Sequence, residues 1–107
     1  MELERFTFVL LRRPLDAPDY PKEQLEEIQK GHLANLARLT ERGVLLLAGP
    51  FDDQPDESLR GLCVFTTGID ETRALMAEDP AVLAGRLVTD VMTWWTPAGS
   101  LPKSESS

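Results

Sequence analysis

Residues 21–51, PKEQLEEIQKGHLANLARLTERGVLLLAGPF, join a helix to a strand and decide the fold. Within this stretch, apolar residues recur at helical spacing at Leu25, Ile28, Leu36 and Leu39. That spacing predicts a helix with one apolar side, running to about residue 42. Gly43 ends the helix, because glycine readily adopts the conformation that closes a helix at its C-terminus. The apolar run at residues 44–51 is typical of a buried strand.

The flanking sequence completes a βαββαβ order. Strands are predicted at residues 2–11, 44–51, 59–67 and 87–96. Helices are predicted at residues 21–42, from the Gly68-Ile69-Asp70 turn to about residue 78, and from Asp79-Pro80 to about residue 85. Because β-α-β crossovers are right-handed, both main helices and the short extra helix fall on one face of a four-stranded antiparallel sheet. The predicted fold is therefore α+β and ferredoxin-like.

The predicted strands are apolar on both faces. In the last strand, Leu87, Val91 and Trp95 point one way, and Val88, Met92 and Trp94 point the other way. Two helices cover only one face, so the other face would be a large exposed apolar surface, which monomers seldom tolerate. We therefore predict a homodimer in which two sheets pack face to face.

Composition excludes several classes of partner. The 107 residues are one domain's worth, and 18 acidic against 11 basic residues give a net charge of −7. This excess disfavours nucleic acid and membrane surfaces. No apolar run approaches the length of a membrane span, and the N-terminus lacks a signal peptide. We expect a cytoplasmic domain over residues 1–97, with a disordered tail at residues 98–107.

His32, the only histidine, falls in the middle of the apolar side of the first helix and so points toward the sheet. A buried imidazole needs a hydrogen-bond partner there. One interpretation is a structural histidine satisfied by a backbone carbonyl or a buried water. The other is an acid/base group, since histidine titrates near neutral pH. Without a second histidine or a cysteine cluster, no dedicated metal site is expected.

Asp79 precedes Pro80 and is a typical N-cap for the short helix that follows. Its segment also falls on the same side of the sheet as the first helix, where a carboxylate could orient one imidazole nitrogen and leave the other free. The expected pocket lies between the first helix and the sheet, lined by Phe8, Leu36, Leu47, Gly49 and Pro50. No phosphate-binding glycine motif is present, so no nucleotide cofactor is indicated. Cys63 is interpreted as a small buried hydrophobe.

Three stretches taken together resemble the YCII-related (YciI-like) family: GHLANLARL at residues 31–39, GVLLLAGPF at 43–51 and EDPAVLAGRL at 78–87. The resemblance covers about residues 3–97 and implies a ferredoxin-like subunit of a dimeric α/β barrel. It also implies an active site built on His32 and Asp79. Family members with assigned activities are cofactor-independent enzymes, including lyase-type enzymes acting on chlorinated aromatic compounds. The proline-rich loop at residues 13–21 is longer here than in the shorter members.

Two functions follow from these observations. The first is a small cofactor-independent enzyme in which His32 is the general base and Asp79 stabilises the imidazolium. It would act on a small organic molecule, such as an aromatic compound, by elimination, isomerisation or hydrolysis. The second is a non-catalytic dimeric module that binds a small molecule or serves as an accessory subunit, with His32 only filling space or hydrogen bonding. Replacing His32 discriminates the two functions.

Overall fold

A computed structural model describes residues 1–102 of the chain. Its elements are β1 (Leu3–Arg12), α1 (Lys22–Glu41), β2 (Leu45–Pro50), β3 (Leu59–Phe65), α2 (Ile69–Ala77), α3 (Pro80–Leu83) and β4 (Val88–Pro97). The strand order is β2-β3-β1-β4, and all neighbouring strands are antiparallel. The predicted α+β, ferredoxin-like fold is confirmed, with small differences at the element ends. Within this part of the chain, no helix is long and apolar enough to cross a bilayer.

The turn between α1 and β2 sets the angle at which the helix lies on the sheet. Gly43 has a φ of 77°, in the left-handed region that glycine adopts without a Cβ clash. Its N–H donates to the Thr40 carbonyl, and the Val44 N–H donates to the Leu39 carbonyl. This pair of bonds is the Schellman motif, which satisfies the last carbonyls of the helix. The predicted stop at Gly43 is thus confirmed.

The main core lies between the helices and one face of the sheet. It contains Val9, Leu11, Leu39, Leu45, Cys63, Phe65, Met76, Ala81 and Leu87. Strands β1, β2 and β3 and all three helices contribute to this cluster, and Val91 of β4 packs against it together with Ile28 and Leu36 of α1. The burial of these side chains holds α1 and α3 against the sheet. The site described below lies where α1 and α3 meet.

The opposite face of the sheet is largely apolar, and no helix within residues 1–102 covers it. Phe8 of β1 pairs with Val64 on β3 and with Met92 on β4, and side chains of paired residues point to the same side. Trp94 is 38% exposed and packs edge to face on Phe8, with ring centroids 6.1 Å apart. Arg12 and Asp90 form an ion pair at 2.6 Å on this face. The prediction that the helices cover only one face is confirmed.

The chain leaves β4 through a turn that is hydrogen-bonded to the start of β1. The Ala98 N–H donates to the Glu2 carbonyl, and the Ser100 N–H donates to the Pro97 carbonyl. The predicted disordered tail begins at residue 98, and its residues 103–107 lie outside the described residues. The domain boundary at residue 97 therefore stays a prediction.

Candidate active site

His32 and Asp79 are separated by 47 residues in sequence and meet between α1 and α3. The Nδ1 atom of His32 lies 2.8 Å from Oδ2 and 3.0 Å from Oδ1 of Asp79. Both residues are buried, with 7% of His32 and none of Asp79 exposed. The helical spacing places His32 on the buried side of α1, as predicted.

Asp79 is held in place by the short helix that it begins. Its Oδ2 accepts a hydrogen bond from the Ala81 N–H at 2.9 Å, so it is the N-cap of α3, as predicted. The same carboxylate accepts from His32, so capping the helix and orienting the imidazole are compatible roles. The capping bond fixes the rotamer that directs Oδ1 and Oδ2 toward α1.

A glycine permits α3 to come this close to α1. A Cβ added at Gly31 would lie 3.0 Å from Cγ and 3.2 Å from Cβ of Pro80, closer than ordinary van der Waals contact. Gly31 and Pro80 are the chain neighbours of His32 and Asp79. The close approach of the Pro80 ring to the Gly31 backbone therefore lets the side chains of His32 and Asp79 come within hydrogen-bond distance.

The hydrogen bond to Asp79 determines the tautomer of His32, and with it which ring nitrogen offers a lone pair to the cavity. An ionised carboxylate only accepts hydrogen bonds, so Nδ1 must carry the proton. In the neutral imidazole, Nε2 is then an acceptor. Nε2 has no hydrogen-bond partner within residues 1–102 and is not enclosed. This nitrogen is available to a molecule in the cavity that His32 lines.

Asn35 and Arg38 extend the cluster along α1. The Asn35 Nδ2 donates to Oδ1 of Asp79 at 2.9 Å, and its own Oδ1 accepts from Nη2 of Arg38 at 2.8 Å. Because a guanidinium can only donate, Arg38 determines which way the amide of Asn35 is turned. Asn35 is buried and was not among the residues predicted from sequence. The sequence did contain a sign of this role: Asn35 is a polar residue three positions after His32, and residues at this spacing lie on the same side of a helix.

The pKa of Asp79 lies below its ordinary value. Burial alone would raise this pKa, because it penalises the charged form. The hydrogen bonds from His32 and Asn35, the charge of a protonated His32 and the Ala81 N–H outweigh burial and lower it. Asp79 is therefore an anion at neutral pH and can stabilise an imidazolium.

A cavity of about 400 Å³ opens between α1 and the sheet, where the sequence places the pocket. His32 lines it, together with the predicted residues Leu36, Gly49 and Pro50. Much of the remaining wall is apolar, from Leu11, Leu25, Ile28, Leu33, Leu62 and Leu87. A volume of this size suits a small organic molecule.

Phe8 and Leu47 do not line this cavity, in contrast to the sequence prediction. Phe8 alternates with the core residue Val9, so its side chain lies on the other face of the sheet. Leu47 pairs with Val64 on that same uncovered face, because the register of β2 against β3 shifts between Leu45 and Leu47. A strand without this irregularity would place Leu47 on the same side as the buried Leu45.

Three arginines also line the cavity, and sequence reasoning missed all of them. Arg13 follows β1, Arg60 lies in β3 and Arg86 follows α3. They come from distant parts of the chain and belong to no motif, so no local pattern signals their convergence. Within the described residues, no group of three or more His, Cys, Asp or Glu side chains is arranged to hold a metal ion. Cys63 is fully buried in the core, in agreement with its interpretation as a hydrophobe.

The sequence and the structure match known proteins. The model of the YCII-related domain family matches residues 7–95. The structure is similar to 5-chloro-2-hydroxyhydroquinone dehydrochlorinase (TftG) from Burkholderia phenoliruptrix AC1100, solved in complex with 2,5-dihydroxybenzoquinone. That match has a TM-score of 0.61 and 18% identity, covering 83% of this chain and 92% of that chain.

SnoaB, a cofactor-independent oxygenase from Streptomyces nogalater, matches with a TM-score of 0.48 and 20% identity, covering 92% of this chain and 98% of that chain. Among curated proteins, none is significantly similar to this sequence. The similarity to the dehydrochlorinase supports a shared fold.

Proposed function

This chain belongs to the YCII-related domain family, and from that premise we propose that it is a cofactor-independent small-molecule enzyme with His32 as general base. The observation that carries the proposal is the orientation of one imidazole. Asp79 holds Nδ1 at 2.8 Å, and Nε2, which no group of the described chain contacts by a hydrogen bond, lies beside a cavity of about 400 Å³. That arrangement is the one a general base needs.

In the proposed reaction, a proton passes from an activated carbon or hydroxyl of the substrate to Nε2. The imidazole becomes an imidazolium, whose charge the Asp79 carboxylate stabilises, while the electron pair stays on the substrate. Elimination, isomerisation or hydrolysis can follow from this step. The dehydrochlorinase of the same fold acts on 5-chloro-2-hydroxyhydroquinone, and the cavity here has the size and apolar walls for a single aromatic ring.

Proton abstraction can be tested before the natural substrate is known. Small enolisable and phenolic compounds are incubated with the protein in D₂O, and loss of each C–H signal is followed by NMR. We expect catalysed exchange for some compounds and roughly 10²–10⁴-fold slower exchange in His32→Gln, the usual contribution of a general base. The matched control is Glu27→Gln, on the exposed side of the same helix.

The same variants separate catalysis from binding. Exchange or turnover that survives His32→Gln at the wild-type rate refutes the role of His32. Compounds that bind equally well to wild type and His32→Gln, without any catalysed exchange, would favour the non-catalytic binding module. The ¹⁵N shifts of the single histidine give a second measurement: the Nδ1–H tautomer should dominate in wild type and lose that dominance in Asp79→Asn.

The proposal includes a homodimer formed through the uncovered face of the sheet. Trp94, Met92 and Val88 are each about two-fifths exposed on that face, an arrangement that apolar packing against a second copy would bury. Sedimentation should give twice the 11.9 kDa chain mass. We expect Trp94→Glu to give monomers and Leu83→Glu, at an exposed site on α3, to leave the dimer intact. Wild type that sediments as a monomer contradicts this assembly.

The proposal also places the protein in the cytoplasm. The support is compositional: a single, unpaired cysteine is typical of a reducing compartment. Cell fractionation with an antibody against the protein tests this location, and recovery in an extracytoplasmic fraction would contradict it.

A further inference from the structure

The cavity beside His32 is positively charged in a chain that is strongly acidic. Arg13, Arg60 and Arg86 line it, and none of its lining residues within the described chain is Asp or Glu. The whole protein carries a net charge of −7. Three of its 11 basic residues are thus gathered around one small volume, and this placement is not expected from composition.

The arginines are close enough to act on one another. The pKa of Arg13 is lowered, first by its burial and then by the charges of Arg86 and Arg60. Within residues 1–102, the only carboxylate within ion-pair distance of the three is Asp19, whose Oδ1 lies 3.9 Å from Nη1 of Arg86 and whose side chain is fully exposed. Such an exposed pair is weak. Acidic groups of the described chain therefore compensate the mutual repulsion of the three arginines only weakly.

Backbone carbonyls hold the arginines in position without neutralising them. Arg13 donates from Nε to the Arg86 carbonyl, and Arg86 donates from Nη1 to the Pro18 carbonyl. Arg60 donates from Nη1 to the Glu57 carbonyl. The two terminal amino groups of Arg13 have no hydrogen-bond partner within residues 1–102. A guanidinium has five donors in a fixed fork, so most of this capacity is left for a ligand.

The proline-rich loop and α3 bring Arg86 to this position. The Tyr20 hydroxyl donates to the Ala84 carbonyl at 2.7 Å and ties the loop to the end of α3. Gly85 then reverses the chain with a φ of 75°. A second Schellman motif forms there, because the Arg86 N–H donates to the Ala81 carbonyl. The charge is thus positioned before any ligand binds, which lowers the entropic cost of binding.

We propose that the cavity binds an anionic small molecule, with an acidic oxygen group on Arg13, Arg60 and Arg86 and an apolar body against the leucines beside His32. The ligand chemistry is a carboxylate on a ring-sized skeleton. Planar guanidinium groups match such oxygen pairs better than a point charge does. Only the description of this molecule as the substrate rests on the proposed function, since the binding site stands on its own geometry.

This assignment also gives the arginines a role in the proposed proton transfer. When a C–H proton moves to Nε2 of His32, the electron pair delocalises onto an oxygen of the substrate as an enolate or phenolate. Fixed guanidinium groups stabilise such developing charge. The molecule would then bind more tightly as its charge increases during the reaction.

Matched pairs of neutral and anionic probes test the inference. Aromatic acids such as benzoate and 2-naphthoate are titrated by calorimetry against their amides, benzamide and 2-naphthamide, with naphthyl phosphate as a separate anion. We expect at least one acid to bind about tenfold or more tightly than its amide, the effect of a charge-assisted hydrogen bond. The ratio of the acid's affinity to the amide's affinity should fall toward one in Arg13→Gln and in Arg60→Gln. It should persist in Arg73→Gln, an exposed control on α2.

Each outcome bears on the proposal. If no acid in the panel binds more tightly than its amide, or if the preference survives both arginine substitutions in folded protein, the anion site is refuted. A preference confined to naphthyl phosphate also refutes a carboxylate site. Salt gives a second test without mutation, because added NaCl should weaken the binding of the acids and leave the binding of the amides unchanged. The same titrations in His32→Ala keep anion binding separate from catalysis. If this variant still binds the acids more tightly than the amides and its turnover is unchanged, His32 is not the general base, but the anion site stands.

Discussion

Replacing Asp79 with asparagine tests the cluster that joins α1 to α3. The carboxylate is fully buried and accepts from His32, Asn35 and the Ala81 N–H. Asparagine keeps the shape and remains a good N-cap, so the bond from Ala81 can persist. Its amide nitrogen then faces the two remaining donors. His32 can respond by changing tautomer, but the amide of Asn35 is left without its charged acceptor.

The expected loss of stability follows from these bonds. A hydrogen bond to a charged group contributes about 1.5–3 kcal/mol, and leaving a buried donor unpaired costs about 1–3 kcal/mol. We therefore expect Asp79→Asn to lower the free energy of unfolding by about 2–3 kcal/mol at pH 7. Asp79→Ala also removes the cap, so its loss should reach about 3–5 kcal/mol.

The pH dependence of this loss has a definite sign. The pKa of Asp79 is lowered in the folded protein, because the hydrogen bonds from His32 and Asn35 outweigh the effect of burial. In the unfolded chain an aspartate has a pKa of about 3.9. The stabilisation is therefore fully present above about pH 4 and is lost as the pH falls through the lower, folded pKa. The difference between wild type and Asp79→Asn should shrink accordingly in acid.

Urea unfolding followed by tryptophan fluorescence measures these free energies. Both proteins are unfolded at pH 7 and at steps down to pH 2.5, at one protein concentration, because dimerisation would make the midpoint concentration-dependent. A difference below about 0.5 kcal/mol at pH 7, the size of an ordinary surface substitution, would refute the reasoning. So would a difference that grows as the pH falls below about 4.

Three further predictions test single features. Gly61→Ala places a Cβ 2.6 Å from the Gly49 carbonyl oxygen, so urea unfolding should show a loss of about 1–3 kcal/mol; no loss would contradict this close approach. Gly31→Ala should not gain the roughly 1 kcal/mol that alanine adds over glycine in an open helix, because Pro80 lies 3.0 Å away; a full gain in thermal unfolding would contradict the contact. Burial raises the pKa of the Cys63 thiol to about 12. Native protein should therefore react with dithionitrobenzoate far more slowly than urea-unfolded protein, and equal rates would contradict a closed core.

Helical and strand periodicity predicted the fold because both patterns are local. The 3.6-residue spacing of the leucines in α1 was enough to place His32 on the buried side, and the residue type before Pro80 was enough to make Asp79 a cap. The apolar character of both strand faces predicted that one face stays uncovered by helices. Each of these inferences depends on residues within a few positions of one another.

The composition of the site was decided only in the tertiary structure. Contact between His32 and Asp79 spans 47 residues and depends on how closely α3 approaches Gly31. The register shift in β2 moved Leu47 to the other face, and a shift of this kind depends on the partner strand. The arginines converge because the end of β1, the start of β3 and the segment after α3 meet at the same cavity. Apolar residues repeat with the period of a helix or strand, but charged residues that meet in the folded protein follow no such pattern along the chain. Their convergence therefore cannot be predicted from the sequence alone.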